Sequence, residues 1–553
     1  MRAPGLYQAA ADVVVAPALA AANAGVAGFV GTADMGPVDV ATRVASWDAF
    51  AALYGRARAG YLADAVWAFF GNGGEACWVV RVAPGAACAT RALADAWGKP
   101  ALVVRARDDG AWGNAIGVAC EHAVGARALL VRDLEIGACE AQVSATRGFE
   151  VGALVTIGAA GAADCVVVTE IGERVLRWTS DTPIARPYRA AGPTTLEVQA
   201  FDVTVSLRDR REAFRGLQMQ ATSRRFAPRV IAEASKLVRC EAVGARSRRP
   251  AAGGAAKLAG GGDGDAVTAD DLIGRDGGLD ARTGLAALMA IDEVAVVAVP
   301  DAMRLDELAA QRVQDDVIAA CEAREDRVAV LDIPAGTDVE RVRRWRRRVD
   351  SSYAAFYWPW LDATGWDGAV RSVPPSGAIA GSYARRDREA GVHAAPANVE
   401  LVGVRGVSLR VDDDHAALLG DAGVNTFRVQ RGVRAWGART ASADAAWRHV
   451  SVRRLFVMMR RSLEAGFAWI AFEPNDARTW ERVRERALMF LAELHAAGAF
   501  APGKLDDVCF VRCDGETTSA DDVDAGRLRC EIGVAPVTPA ELVVMSLVQA
   551  TKG

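Results

Sequence analysis

Between residues 284 and 361 the chain alternates three times between a helical pattern and a short apolar run. "GLAALMAI" reads as a helix and "EVAVVAVP" as a strand ended by a proline. "RLDELAAQRVQDDVIAACEAR" is a helix and "RVAVLDIP" a second strand. "DVERVRRWRRRVDS" is a strongly basic helix and "YAAFYWPWL" a third, aromatic strand. A strand that is apolar on successive residues buries both of its faces. Such strands, separated by helices, do so in a mostly parallel sheet with helices on each side.

The same grammar opens the chain. "GVAGFVGTA" is a buried strand. "SWDAFAALYG" is a short helix capped by Ser46 and stopped by Gly55, and "YLADAVWAFFGNGG" is a second helix. "ACWVVRV" returns as a strand. From about Gly110 short β runs with glycine turns take over, and "GARSRRPAAGGAAKLAGGGDGDAVTADDLIGRD" reads as a loop. From about Asp444, "WRHVSVRRLFVMMRRSLEAGF" is a helix, "AWIAFEP" a strand and "DARTWERVRERALMFLAELHAAGAF" a long amphipathic helix. "DDVCFVRCD", "RLRCEIGVAPV" and "AELVVMSLVQA" close as strands. The expectation is an α/β multidomain protein in five parts. These are an extended arm (1–24), a first α/β segment (25–109), an inserted β-rich domain (110–243), a central α/β domain (244–443) and an α+β C-terminal domain (444–553).

Composition narrows the function classes. The 553 residues are 51% hydrophobic with a formal net charge of -4, which argues against a general nucleic-acid binder. The segment Val13–Gly31 imitates a targeting signal, but Asp12, Pro17 and the glycines oppose that reading. No stretch approaches the ~20 strongly apolar residues of a membrane span, so no direct membrane insertion is expected. The ten cysteines lack a CxxC pair, and Cys509 and Cys513 read as a buried pair on one strand face. The Gly-rich 253–265 run lacks a phosphate-loop pattern, and Asp412–His415 reads as an acidic helix start. Ser376, in a Pro/Gly turn, and His393 would be the material of a hydrolase. No nucleophile elbow surrounds Ser376, and nothing brings the two together. No catalytic residue, cofactor or metal is expected.

Several blocks then carry a resemblance. "PGLY", "VAGFVGTADMGPVDVATRVASWDAFAALYG", "AVWAFFGNGGEACWVVRV", "AWGN" and "FRGLQMQATSRRFAPRVIAEASKLVRCE" come in that order. "DLIGRD", "RTGLAALMAIDEVAVVAVPDA", "WRRRVDSSYAAFYWPWL" and "AGVNTFRVQRGVRAWGARTAS" follow. "SVRRLFVMMRRSLEAGFAWIAFEPNDARTWERVRERALMFL" and "DAGRLRCEIGVAPVTPAELVVMSLVQ" close the series. Together they resemble the contractile tail sheath proteins of phages, phage-like bacteriocins and extracellular injection systems. The resemblance implies a subtilisin-like central domain without a catalytic triad. It implies a non-enzymatic subunit that polymerises as stacked six-fold rings around an inner tube protein, with baseplate and terminal cap proteins at the ends. Assembly in the bacterial cytoplasm would precede life as a phage tail or released particle. The N-terminal arm (Gly5, Leu6, Tyr7, Val13, Val14, Val15) and a C-terminal strand (Leu542, Val543, Val544, Met545, Leu547, Val548) would link neighbouring subunits. Arg343, Arg344 and Arg347 on the basic helix, and Arg482 and Arg486 on the long C-terminal helix, are candidate contacts to the tube or a neighbour. The alternatives are a non-contractile shell or adhesin, and a hydrolase using the central domain.

Overall fold

The computed structural model describes residues 19–56, 60–158, 163–179, 184–192, 194–243, 248–278, 281–537 and 543–551. The apolar runs do form one sheet. Its elements in chain order are β1 (Ala27–Gly31), α1 (Trp47–Tyr54), α2 (Leu62–Gly71), β2 (Cys77–Arg81), β3 (Val296–Ala298), α3 (Glu307–Arg324), β4 (Val328–Asp332), α4 (Val339–Arg346), β5 (Ala354–Tyr357), α5 (Ser376–Ala390) and β6 (Val424–Asn425). The strand order is Thr42–Val44, β2, β1, β3, β4, β5, β6, and every pairing is parallel except that of Thr42–Val44 with β2. The first and central α/β segments therefore share a single sheet, split in sequence by the insertion.

Alternate strand residues fill two cores. Phe29, Val79, Val296, Val330 and Tyr357 meet Phe50, Phe69, Ile379 and Tyr383 of α1, α2 and α5 on one face. Val30, Val80, Val297, Leu331 and Phe356 meet Val313, Val317, Val342 and Trp345 of α3 and α4 on the other. Ser46 caps α1 as expected, its Oγ accepting from the Ala49 N–H at 3.1 Å. Asp412 likewise caps the helix Asp413–Asp421.

The stretch around Ser376 departs from expectation. It is the first turn of a buried helix rather than a loop, because Gly377 and Gly381 form a small-residue stripe on which α2 lies. A Cβ on either would fall well inside contact distance of a backbone carbonyl of α2, that of Ala65 or Phe69.

The inserted β region has two cores, one around Val104, Val118, Phe201 and Val238 and one around Val155, Val168, Leu176 and Leu196. The hairpin Thr90–Ala94/Pro100–Ala106 precedes residue 110, yet it pairs with Val238–Ala242 and belongs to the first of these cores. Within the run expected to be loop, Gly253–Lys257 is a strand paired with Gly117–Leu129. Its glycines and alanines are small enough to lie along that strand, and composition alone misreads them.

The C-terminal part is built from α6 (Val450–Gly466), α7 (Ala477–Ala496) and an antiparallel sheet of β7 (Cys509–Arg512), β8 (Arg527–Val534) and β9 (Val543–Ala550), in that order. "AWIAFEP" is a 3-10 turn, Ala468–Phe472, not the expected strand. Its aromatic residues split between a half-buried Trp469 and a Phe472 that is 82% exposed. Buried Arg454 ties α6 to α5 through both oxygens of Asp387 at 2.6 and 2.8 Å, and donates to the Ala24 carbonyl at 2.9 Å.

Candidate interaction surfaces

The position where a catalytic or nucleotide site would sit in such a sheet is filled. The chain leaves β1 toward β2 on one side, and β3 lies on the other, so the carboxyl ends of β1 and β3 form the usual ligand crevice. Asp301, fully buried just past β3, occupies it. Its carboxylate accepts from the Thr32 N–H at 2.6 Å, the Thr32 hydroxyl at 2.8 Å and the Tyr61 N–H. Burial raises its pKa. Gly31 and Gly60 allow this closeness, since a Cβ on either would strike the Asp301 carboxylate.

Ser376 and His393 are not brought together. The fully buried Ser376 Oγ donates to Asp332 at 2.6 Å and its N–H to the same carboxylate at 2.9 Å. His393 lies beyond the far end of α5, about 22 Å along the helix axis. It lines a cavity with His449 near Val452 and Pro536. Burial and Arg386 lower its pKa.

The C-terminal strand is extended, as expected, and it pairs with its own chain. β9 matches β8 over eight residues, from Val543 opposite Val534 to Ala550 opposite Arg527. The Thr551 N–H donates to the Gly526 carbonyl at 2.7 Å, which fixes the alternation: residues 543, 545, 547 and 549 bond β8. Val544, Ser546, Val548 and Ala550 point their N–H and C=O groups away from the sheet. Val543 and Leu547 are buried, whereas Val544 and Val548 are exposed. Leu542 lies outside the described residues. Among the described residues, one outside side chain reaches this edge: Arg460 donates to the Ser546 carbonyl at 3.5 Å.

Beside that edge is a cavity of about 360 Å³ lined by Val544–Ser546, by Arg453, Phe456 and Arg460 of α6, and by Tyr353, Glu325 and Trp447. Arg460 pairs with Glu325 at 2.7 Å. Arg453 lies 3.5 Å over Trp447 and 4.1 Å over Tyr353, and bonds the Ser352 and Tyr353 hydroxyls. Among the described residues no carboxylate is within ion-pair distance of it, and burial pushes its pKa down to about 10. Sequence reasoning did not single out Arg453, because "SVRRLF" reads as an ordinary amphipathic helix and a buried arginine leaves no mark on that pattern.

At the other terminus, Leu19 packs against Gly466 of α6, and the Ala22 N–H donates to Ser462 Oγ at 2.8 Å. Arg461 bonds the Asn23 carbonyl at 3.2 Å. The arm residues Gly5, Leu6, Tyr7, Val13, Val14 and Val15 lie outside the described residues.

The candidate contact arginines divide. Arg482 and Arg486 stack on Trp469 at 4.3 and 4.8 Å, and Arg482 also pairs with Glu473 at 3.0 Å. The neighbouring Phe472 and Met489 are 82% and 61% exposed. On α4, Arg343 pairs with Glu340 at 2.9 Å, while Arg344 and Arg347 are exposed without an ion pair among the described residues. No helix of the described residues is long and apolar enough to cross a membrane.

Comparison with known proteins agrees with this arrangement. The phage tail sheath protein central domain family matches residues 266–441, and the phage tail sheath C-terminal domain family matches residues 442–550. A prophage major tail sheath protein of Pseudomonas aeruginosa (strain UCBPP-PA14) is 30% identical over 224 residues, which is 39% of this chain and 55% of that protein. The tail sheath protein of Escherichia phage P2 is 25% identical over 285 residues, 50% of this chain and 69% of the phage protein. The fold matches the crystal structure of a sheath tail protein from Listeria innocua with a TM-score of 0.60 at 12% identity, covering 95% of this chain and 94% of that one. It also matches the anti-feeding prophage helical sheath in its contracted state, with a TM-score of 0.51 at 20% identity and 99% coverage of both chains. The two family matches together span more than half of the sequence, and the chain belongs to the phage tail sheath protein family.

Proposed function

We propose that this chain is the structural subunit of a contractile sheath, whose copies stack helically as six-fold rings around an inner tube. Shortening of the sheath drives the tube through a target envelope. The observation that carries this reading is the open edge of β9, eight residues long and rimmed by exposed Val544 and Val548. A sheet edge of this length is a template for another chain's strand. Strand addition by identical copies in a head-to-tail sense builds a closed ring where the rotation closes and an open helix where it does not.

In this mechanism Gly5–Val15 of one copy adds to the sheet of a neighbour. The β9 ladder works equally well whichever copy supplies it, so strands exchange between subunits and act as hinges through contraction. The cavity at Arg453 gives an added strand room beside β9. Arg482, Arg486, Phe472 and Met489 form a mixed charged and apolar face for the inner tube or a neighbouring subunit, and Arg343, Arg344 and Arg347 form a charged one. Charges of this kind set register more than affinity, which suits a tube that must later be released. Baseplate and terminal cap proteins complete the two ends. The central domain is a subtilisin-like sheet turned to structural use, with Asp301 filling the crevice and Ser376 spent on Asp332. The work of contraction comes from tighter packing of subunit against subunit. Assembly takes place in the bacterial cytoplasm, before the sheath serves in a phage tail or a released particle.

Deleting residues 1–15 is expected to leave a folded monomer by circular dichroism and sedimentation that builds no sheath in electron micrographs. Sheaths of normal length from the truncated chain would overturn the arm's role.

A further inference from the structure

Three of the ten cysteines lie in the C-terminal sheet or next to its edge strand: Cys509, Cys513 and Cys530. The β7–β8 ladder puts Cys509 opposite Val534 and Arg512 opposite Glu531, and one step further it puts Cys513 opposite Cys530. The backbone bonding shows which kind of pair this is. The Ala535 N–H donates to the Val508 carbonyl at 2.8 Å, so residues 535, 533 and 531 bond toward β7. Cys530 bonds instead toward β9, where it faces Leu547. Cys513 and Cys530 are therefore a non-hydrogen-bonded antiparallel pair, the closer kind, with Cα atoms about 4.5 Å apart and side chains on one face. A disulfide needs a Cα separation of about 4.4–6.8 Å. Both residues belong to the same buried cluster. The neighbouring Cys513 thiol, together with burial, raises the Cys530 pKa above its ordinary value.

We propose that Cys513 and Cys530 are an oxidisable dithiol that closes to a disulfide when the protein meets a low-molecular-weight disulfide outside a reducing compartment. The Cys513 thiol, just past the last residue of the edge strand β7, loses its proton to water and attacks one sulfur of the small disulfide, expelling one thiolate. The Cys530 thiol then loses its proton, attacks the Cys513 sulfur of the mixed disulfide and expels the second thiolate. The two cysteines give up two electrons and two protons, and the small disulfide becomes two thiols. The reaction waits on fraying of the β7 end, because both sulfurs are covered in the closed sheet. Cys509 stands opposite a valine, so no other pair in this ladder is placed to compete. The bond joins β7 to β8 and leaves the far edge of β9 free. It would stiffen the C-terminal sheet without occupying the edge assigned to a neighbour.

The test uses the full-length protein, purified with reductant and then incubated with oxidised or reduced glutathione. Thiols are counted with a maleimide in denaturant, and non-reduced peptides are read by mass spectrometry. The expected result with oxidised glutathione is a fall of two from the ten thiols of the reduced chain. A single cross-linked peptide pair holding Cys513 and Cys530 should appear, two hydrogens lighter than the sum of its parts. It should be absent after Cys513→Ala and after Cys530→Ala. Hydrogen exchange of the β7–β8 amides should slow in the oxidised form. Ten thiols persisting after oxidation, a stable glutathione adduct on one cysteine, or a bond between any other two cysteines would each overturn the assignment.

Discussion

The central and the C-terminal sheets of this chain treat their edges in opposite ways. The seven-stranded central sheet has its faces covered by helices and ends in very short strands, Thr42–Val44 on one side and Val424–Asn425 on the other. Short terminal strands are a common protection against unwanted pairing. The three-stranded C-terminal sheet ends in β9, eight residues long, with half of its backbone groups facing outward and valines exposed along it. A chain that shields one sheet and leaves the other open separates stability from association. Substitutions in the central region should act on folding, and those along β9 on assembly.

The largest effect expected on folding is at the joint between the regions. Arg454 and Asp387 are both buried, and removing the cation leaves the carboxylate uncompensated. Arg454→Met should cost about 3–5 kcal/mol in urea unfolding; a loss within ~0.5 kcal/mol would mean that the pair does not couple α6 to α5. Next comes a pH dependence within the central sheet. Burial pushes the Asp332 carboxyl up to about 7 from 3.8, despite the two Ser376 donors. The native group keeps its proton between those values while the unfolded one has lost it. Stability from this group is therefore fully present below pH 3.8, falls as pH rises toward 7 and is level above, a swing on the order of 4 kcal/mol. Asp332→Asn should flatten the stability profile across that window, and an unchanged slope would assign it to another group. Gly381→Ala should destabilise by about 1–3 kcal/mol, since its methyl would collide with the Phe69 carbonyl of α2. An unaltered unfolding midpoint would show that α2 and α5 slide apart freely.

The same contrast governs what could be read from the sequence. β1 to β5 were legible because continuous apolar runs between helices admit few other arrangements, and Ser46 and Asp412 marked their helix starts through short polar side chains. "AWIAFEP" misled because a helical turn and a strand bury the same residue types; only the packing of Ile470 shows the turn. "VPPSGAIAGSYARR" misled in the other direction: its glycines read as turn residues, while their use is to let α5 approach α2. The stacking of Arg482 and Arg486 on Trp469, and the meeting of Asp301 with Gly31 and Gly60, depend on residues far apart in sequence. No local pattern carries such contacts. The C-terminal strand was visible as a strand, but which of its backbone groups are left unbonded follows from a register that only the folded chain defines.

That register yields the sharpest and, for the monomer, the mildest test of the contrast. Ser546 and Leu547 are neighbours on β9 with opposite duties. The Leu547 N–H belongs to the ladder with Cys530 and its side chain is buried, whereas the Ser546 N–H faces outward and its side chain is exposed. Proline at an outward-facing edge position removes no ladder hydrogen bond. Ser546→Pro should therefore change monomer stability by less than about 1 kcal/mol while preventing a second strand from bonding along β9. Assembly followed by light scattering and electron microscopy should fail. Leu547→Pro, one residue on, removes a ladder bond and a core side chain and should destabilise the folded chain itself. If Ser546→Pro assembles normally, the open edge of β9 is not where copies join. If it unfolds as readily as Leu547→Pro, the alternation derived from the Thr551–Gly526 bond is reversed.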